Sequence, residues 1–370
     1  MRLISAVSGV QIPAPPPFIL QDLALLGLPL FPLLQELLMF HTGIIGTGSY
    51  VPERILTNHH LREMVDTSDK WIIERTGIRE RRIASGEETN VTMGKIALER
   101  AIENSGIRRE EIEFLVVGTN TTEPVWPSAS GYIANLLGLR KDLPFLDVQA
   151  GCTGFNYALS VAEMSIKAGQ YRTVAVIGTD KLSAITDYQD RNTCVLFGDG
   201  AGALILKQSM SEGIIRSHLG GNARLRDLLI LSKKDGIGNG YIKMEGRKVY
   251  TFAKRAMVES CFRVLDPSGK AEKKDLRELF EQVTKIIPHQ ANARIIMGAA
   301  EELESRLELP AGEAKNKMIM TIEQYGNNSC ASIPLALDLS LRTGTLKKGD
   351  LVIFVGFGAG LTYAANLVRL

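Results

Sequence analysis

The 370 residues include only four cysteines, Cys152, Cys194, Cys261 and Cys330, with no CxxC pair and no disulfide-framework spacing among them. This excludes a disulfide-stapled secreted domain and suits a reducing, cytoplasmic compartment. Charge of either sign is not in excess: 43 Lys and Arg against 41 Asp and Glu leave a net +2, which gives no electrostatic case for binding nucleic acid. No residue cluster has metal-ligand spacing, so neither a metal nor a redox cofactor is called for. Glycine-rich phosphate cradles are missing too. Gly46-Thr-Gly-Ser-Tyr-Val lacks the third glycine of a dinucleotide fingerprint and runs into Pro52, while Gly356-Phe-Gly-Ala-Gly leads into a strand instead of a helix.

A long apolar run is also absent. Leu23 to Leu34 is strongly apolar, but Pro29 and Pro32 break it and Asp22 and Glu36 flank it, short of the ~20 residues a membrane span needs. Arg2 alone does not make the basic start of a signal peptide, and no Arg- and Ser-rich transit peptide is seen. Residues 1–41, with the stiff run Ile12-Pro-Ala-Pro-Pro-Pro, read as a non-globular extension before a strand near Thr42. Met39 is the expected natural start; an interfacial membrane anchor is the second reading.

Three turns carry the chemistry. Phe145-Leu-Asp-Val-Gln-Ala-Gly-Cys-Thr-Gly-Phe reads as a strand, a small-residue turn and a helix with apolar Phe155, Ala158, Leu159 and Ala162. At such a turn the helix terminus is expected to pull the Cys152 thiol toward neutrality, and Gly151 and Gly154 let a carbonyl approach the sulfur. Taken alone, Cys152 is equally a nucleophile or a small buried hydrophobe. Lys285-Ile-Ile-Pro-His-Gln-Ala-Asn then delivers His289 from a strand to the start of a helix, and of the five histidines only this one stands on such an edge. Gln324-Tyr-Gly-Asn-Asn-Ser-Cys-Ala-Ser puts Asn327 at the mouth of another helix. A Cys, a His and an Asn on three such edges make a candidate nucleophilic site. Cys330, three residues on, reads as a helix-packing residue.

An internal repeat places them together. Strand Phe114-Leu-Val-Val-Gly, the Cys152 turn, a helix, strand Thr173-Val-Ala-Val-Ile-Gly and Phe197-Gly-Asp-Gly-Ala-Gly recur in order as Lys285-Ile-Ile-Pro, the Asn327 turn, a helix, Leu351-Val-Ile-Phe-Val-Gly and Phe357-Gly-Ala-Gly. Near-equal spacing predicts two copies of one α/β unit, residues 42–212 and 213–370, related by a pseudo-twofold. The continuous apolar strands predict mostly parallel sheets covered on both faces.

Seven motifs in order resemble one family: Val65-Asp-Thr-Ser-Asp-Lys-Trp-Ile, Arg75-Thr-Gly-Ile-Arg-Glu-Arg, Trp126-Pro-Ser-Ala, Gly151-Cys-Thr-Gly-Phe, Phe197-Gly-Asp-Gly-Ala-Gly, Pro288-His-Gln-Ala-Asn and Tyr325-Gly-Asn-Asn-Ser. Over about residues 43–370 the chain is similar to the β-ketoacyl-acyl-carrier-protein synthases III, the initiating condensing enzymes of bacterial fatty-acid synthesis. The resemblance implies the thiolase fold, five-layered αβαβα, in a homodimer. It implies decarboxylative condensation of a short acyl-CoA primer with malonyl-acyl-carrier-protein, catalysed by Cys152, His289 and Asn327. The thiolate takes the acyl group within an oxyanion hole made by the N–H groups of Cys152 and Ala359; a His289 Nε2–H and the Asn327 amide then hold the enolate without a buried charge.

The family pattern further implies that Trp71 and Arg75 sandwich the adenine of CoA, with Arg191 another nucleotide contact and Gly246, Tyr250 and Asn292 lining the pantetheine tunnel. Read without it, Trp71 is a core aromatic, and Arg75 and Arg191 are solvated charges. Trp126 and Phe357 match the acyl pocket, Trp126 as the aromatic contributed across the dimer and larger than the phenyl ring of the pattern. Lys254, Arg255 and Arg294 form either a docking rim for an acidic carrier protein or a solvated face. A condensing enzyme of secondary metabolism is the alternative. Tyr-Gly-Asn-Asn-Ser argues against a hydroxymethylglutaryl-CoA-type synthase, and a thiolase would want a second cysteine where this chain has Phe357-Gly-Ala-Gly.

Overall fold

The structure, a computed structural model, describes residues 40–122, 125–211, 213–232 and 240–370. The extension through residue 39 therefore lies outside the described residues, and His41–Leu370 forms one compact unit. Its first sheet takes β1 (His41–Tyr50), β2 (Phe114–Gly118), β3 (Phe145–Val148), β4 (Thr173–Lys181) and β5 (Asp199–Ser209), in the order β1-β5-β4-β2-β3. Its second sheet takes β6 (Ile214–Gly221), β7 (Lys285–Pro288), β8 (Leu351–Gly358) and β9 (Thr362–Arg369), in the order β7-β8-β9-β6.

The two sheets repeat one plan. β2 pairs parallel with β4, β4 antiparallel with β5, and β5 antiparallel with β1. Likewise β7 pairs parallel with β8, β8 antiparallel with β9, and β9 antiparallel with β6. Even the parallel edge pair β2–β3 has its counterpart, a parallel bridge from Ile286 to Met318. The sheets are mixed, which corrects the expectation of mostly parallel pairing. The strands read as continuous apolar runs because both faces are covered by helices, and a covered strand is apolar whichever way it runs.

That cover makes five layers. On the outer face of the first sheet α1 (Asn90–Ser105) and α2 (Ala129–Leu136) bury Ala97, Leu98, Ala101 and Ile133 against Val117, Ile177 and Ala203. Between the sheets runs α3 (Gly154–Lys167), whose Phe155, Ala158, Leu159 and Ala162 are all buried as their helical spacing predicts. On the outer face of the second sheet lie α4 (Gly246–Leu265) and α5 (Ala293–Leu307), and beside α3 runs α6 (Ser332–Arg342) with Ile333, Ala336 and Leu337. Phe155 and Phe354 are fully buried in this shared core; each such side chain contributes about 2 kcal/mol by leaving water. Because α3 and α6 both start between the sheets, the turns that begin them open toward one another.

Candidate active site

Cys152 stands in the turn between β3 and α3. Gly151 before it holds φ +56, a left-handed conformation that glycine adopts without strain. A Cβ on Gly151 would overlap the Ala359 nitrogen, and a Cβ on Gly358 would overlap the Cys152 nitrogen. The absence of both lets the cysteine turn and the loop after β8 touch backbone to backbone. Thr362 ties them: its Oγ1 lies 2.8 Å from the Ala150 carbonyl and 3.0 Å from that of Ala359.

His289 follows β7 and is 1% exposed. Its N–H donates to the Val355 carbonyl at 2.7 Å, its Nδ1 lies 2.8 Å from Ser332 Oγ, and the Phe357 ring meets it edge-on with centroids 5.6 Å apart. Burial pushes the imidazole down to about 3, so the ring is neutral at pH 7. Asn327 is built into the backbone like a bridging strand residue: its N–H donates to the Leu196 carbonyl at 2.8 Å and its carbonyl accepts from Gly198 at 2.9 Å. Its Oδ1 accepts from the Ser329 N–H at 2.9 Å, which leaves the amide Nδ2 for other partners.

Cys152, His289 and Asn327, with Phe357 and Ala359, line one cavity of about 830 Å³. Burial pushes the Cys152 thiol up to about 12, against an opposing hydrogen bond from the Ser329 hydroxyl. This corrects the expectation that the helix terminus brings the thiol toward neutrality: the cost of desolvating a thiolate here outweighs the helix end. At neutral pH Cys152 is therefore a thiol and His289 a neutral imidazole.

Trp71, Arg75, Gly246, Tyr250, Asn292 and Arg294 lie on the same cavity wall. The Trp71 ring carries the Arg191 guanidinium at 4.3 Å, so in this structure Arg191 is the cation stacked on the indole. Asn292 caps α5 by accepting from the Arg294 N–H at 2.8 Å, and its amide donates to the Arg75 carbonyl at 3.0 Å. Arg255 is exposed, whereas Lys254 is paired with Glu302 at 3.0 Å. Trp126 is not on the cavity wall of its own chain; it is 88% exposed, three residues before α2.

Other residues of the site are not apparent from motif reading. Asn120, just past β2, directs its amide to the Gly151 carbonyl and Ser329 Oγ, both at 3.1 Å. Buried Asp180 accepts from the Asn120 N–H at 2.6 Å and the Cys330 N–H at 3.1 Å, joining the turns of both halves. The available signal is the polar run Thr119-Asn-Thr-Thr directly after a wholly buried strand. Cys330 is buried, with Sγ 3.3 Å from the Gly151 carbonyl, a packing position as expected.

The family model for 3-oxoacyl-[acyl-carrier-protein] synthase III matches residues 146–223, and its C-terminal model matches residues 277–370. A β-ketoacyl-[acyl-carrier-protein] synthase III of Clostridium acetobutylicum is 42% identical over 335 residues, covering 88% of this chain and 98% of that protein. The chain belongs to the 3-oxoacyl-[acyl-carrier-protein] synthase III family. Among solved structures, the synthase III of Aquifex aeolicus VF5 matches with a TM-score of 0.80 and 40% identity, over 89% of this chain and all of that one. The priming β-ketosynthase of the R1128 polyketide pathway matches at 0.79 and 34%, over 89% of this chain and 96% of that one. The fold is thus the thiolase fold of these synthases, and the chain is an acyltransferase of the condensing type. Among the described residues no group of three or more His, Cys, Asp or Glu is arranged to hold a metal, and no helix is long and apolar enough to cross a membrane.

Proposed function

We propose that this chain condenses a short acyl-CoA primer with malonyl-acyl-carrier-protein, releasing CO₂ and giving β-ketoacyl-acyl-carrier-protein, the initiating step of fatty-acid synthesis in the cytoplasm. The carrying observation is the convergence of Cys152, His289 and Asn327, from three separate turns, on one cavity. Cys152 attacks the acyl-CoA carbonyl and holds the acyl group; the N–H groups of Cys152 and Ala359 stabilise the tetrahedral oxyanion. His289 and the Asn327 amide stabilise the enolate left by decarboxylation, which attacks the acyl-cysteine. The substrates bring the reactive groups, and no cofactor is invoked.

Trp71, Arg75 and Arg191 take the adenine, with Gly246, Tyr250 and Asn292 along the pantetheine. Arg255 and Arg294 offer the carrier protein a cationic rim, and Lys254 contributes less because Glu302 offsets it. The similarity to a priming polyketide ketosynthase supports a second reading, in which the carrier belongs to secondary metabolism. Incubation with mixed acyl-CoAs followed by peptide mass spectrometry should find one short acyl group on Cys152. An acyl group on Cys330 instead, or none, would defeat the reading.

A homodimer is part of the proposal. Among the described residues β3 has β2 as its one strand partner, and Phe145 on β3, Leu136 on α2 and Val125 and Trp126 just before α2 are exposed, a patch suited to a second copy. The partner would carry Trp126 to this chain's acyl pocket beside Phe357, where an indole leaves less room than a phenyl ring. One methylene in such a pocket discriminates by about 1–3 kcal/mol. Wild type should prefer acetyl-CoA over isobutyryl- and hexanoyl-CoA in kcat/KM, and Trp126→Ala should move the preference toward the longer primers. An unchanged ranking in a dimeric variant would remove Trp126 from the pocket.

A further inference from the structure

Ser329 is the residue through which the two enolate-binding side chains are aimed. It is a non-glycine residue in the left-handed region, at φ +47, a conformation that is held only where surroundings enforce it. In this conformation its N–H donates to Asn327 Oδ1 at 2.9 Å while its carbonyl accepts from the Ser332 hydroxyl at 2.8 Å. The same hydroxyl oxygen lies 2.8 Å from His289 Nδ1. A serine hydroxyl has one proton, and the Ser329 carbonyl, which can only accept, takes it. The bond from Ser332 to His289 must then be donated by the ring, so the proton of neutral His289 sits on Nδ1.

We propose that Ser332 is a positioning residue that holds His289 in its Nδ1–H tautomer, leaving the Nε2 lone pair to the cavity, with the Ser329 peptide as the anchor shared with Asn327. The inference rests on the condensing function proposed above and changes what His289 does in it. A neutral ring with a bare Nε2 accepts a proton before it donates one. In acyl transfer, Nε2 takes the Cys152 thiol proton as the sulfur–acyl bond forms, then gives it to the departing CoA sulfur as the old thioester breaks. Condensation consumes one proton from solvent. The malonyl carboxylate, entering beside the ring, offsets the desolvation that keeps it neutral, and Nε2 is protonated. It donates with Asn327 Nδ2 to the enolate oxygen. When the carbon–sulfur bond of the acyl-cysteine breaks, its electron pair stays on Cys152 and the imidazolium returns the proton there.

Ser332 is wholly buried and touches no reacting atom, so a merely structural role must be distinguished from this one. Nitrogen-15 spectra of histidine-labelled full-length protein separate the two neutral tautomers directly, with His289→Asn assigning the signal. The wild-type spectrum at pH 7 should show His289 as Nδ1–H. In Ser332→Ala the signal should move toward the Nε2–H form and condensation kcat should fall about tenfold, the worth of one hydrogen bond to a reacting group; Ser332→Thr, which keeps the hydroxyl, should restore both. A wild-type ring already protonated on Nε2 overturns the proposal without any variant, as does a folded Ser332→Ala whose tautomer and kcat are unchanged. Failure of the function itself reads differently: no product from any acyl-CoA, with the tautomer still Nδ1–H.

Discussion

Cys152→Ala should abolish β-ketoacyl product, with a loss of at least about 10³-fold in kcat, while retaining slow decarboxylation of the malonyl thioester. The separation of roles predicts this split. The nucleophile comes from the turn before α3, whereas His289 and Asn327 come from the second half and keep their own anchors, the Val355 carbonyl and the Leu196–Gly198 bridge. Removing one sulfur leaves those anchors untouched. The pH dependence of the thiol adds an independent check. With the thiol pushed up to about 12, the protein holds almost no thiolate at neutral pH, and the fraction rises tenfold for each unit of pH below that value. Alkylation of Cys152 by iodoacetamide should therefore climb steadily from pH 7 to 9 without levelling. A plateau near neutrality would restore the thiolate expected from the helix terminus. Wild-type product formation by Cys152→Ala would remove Cys152 from the nucleophile's place altogether.

The reversal at Cys152 illustrates what the sequence carries and what it does not. Small residues flanking a polar one at the end of an apolar strand are a local pattern, so the turns bearing Cys152, His289 and Asn327 are legible, and the repeat implies that the first and last of them meet. The pKa of the thiol depends instead on how much protein closes over it, which is not local. Strand direction is hidden for the same reason, since double cover makes parallel and antiparallel strands equally apolar. Ser329, Ser332, Asn120 and Asp180 leave little trace because serines and asparagines are ordinary at helix starts and in turns. Their meaning lies in bonds such as Asn120 to Ser329, made across 209 residues. Trp126 carries a motif signal, yet its own chain leaves it on the surface. Its proposed role needs a second copy, which a single chain cannot supply.

Gly358→Ala should damage the site through a single added methyl while leaving every proposed catalytic side chain in place. Gly358 ends β8, has no positive φ to satisfy, and tolerates an alanine backbone; its constraint is the Cys152 nitrogen, which an added Cβ would overlap. Neither neighbour yields easily. The cysteine turn is fixed by the Thr362 hydroxyl and by Asn120 at the Gly151 carbonyl, and the strand before Gly358 is buried along its whole length. The loop and the turn must therefore separate, which overpacking of this kind makes cost about 1–3 kcal/mol in stability. Separation moves the Ala359 N–H away from that of Cys152, and losing one oxyanion donor costs about 10²–10³ in kcat. KM for acyl-CoA should change little, because Trp71, Arg75, Gly246, Tyr250 and Asn292, the residues proposed to hold the nucleotide and pantetheine, stand elsewhere on the cavity wall. Single-turnover acylation of Cys152, measured beside thermal unfolding, separates the two effects. A folded variant that acylates at the wild-type rate would show that the two N–H groups do not act together on the oxyanion.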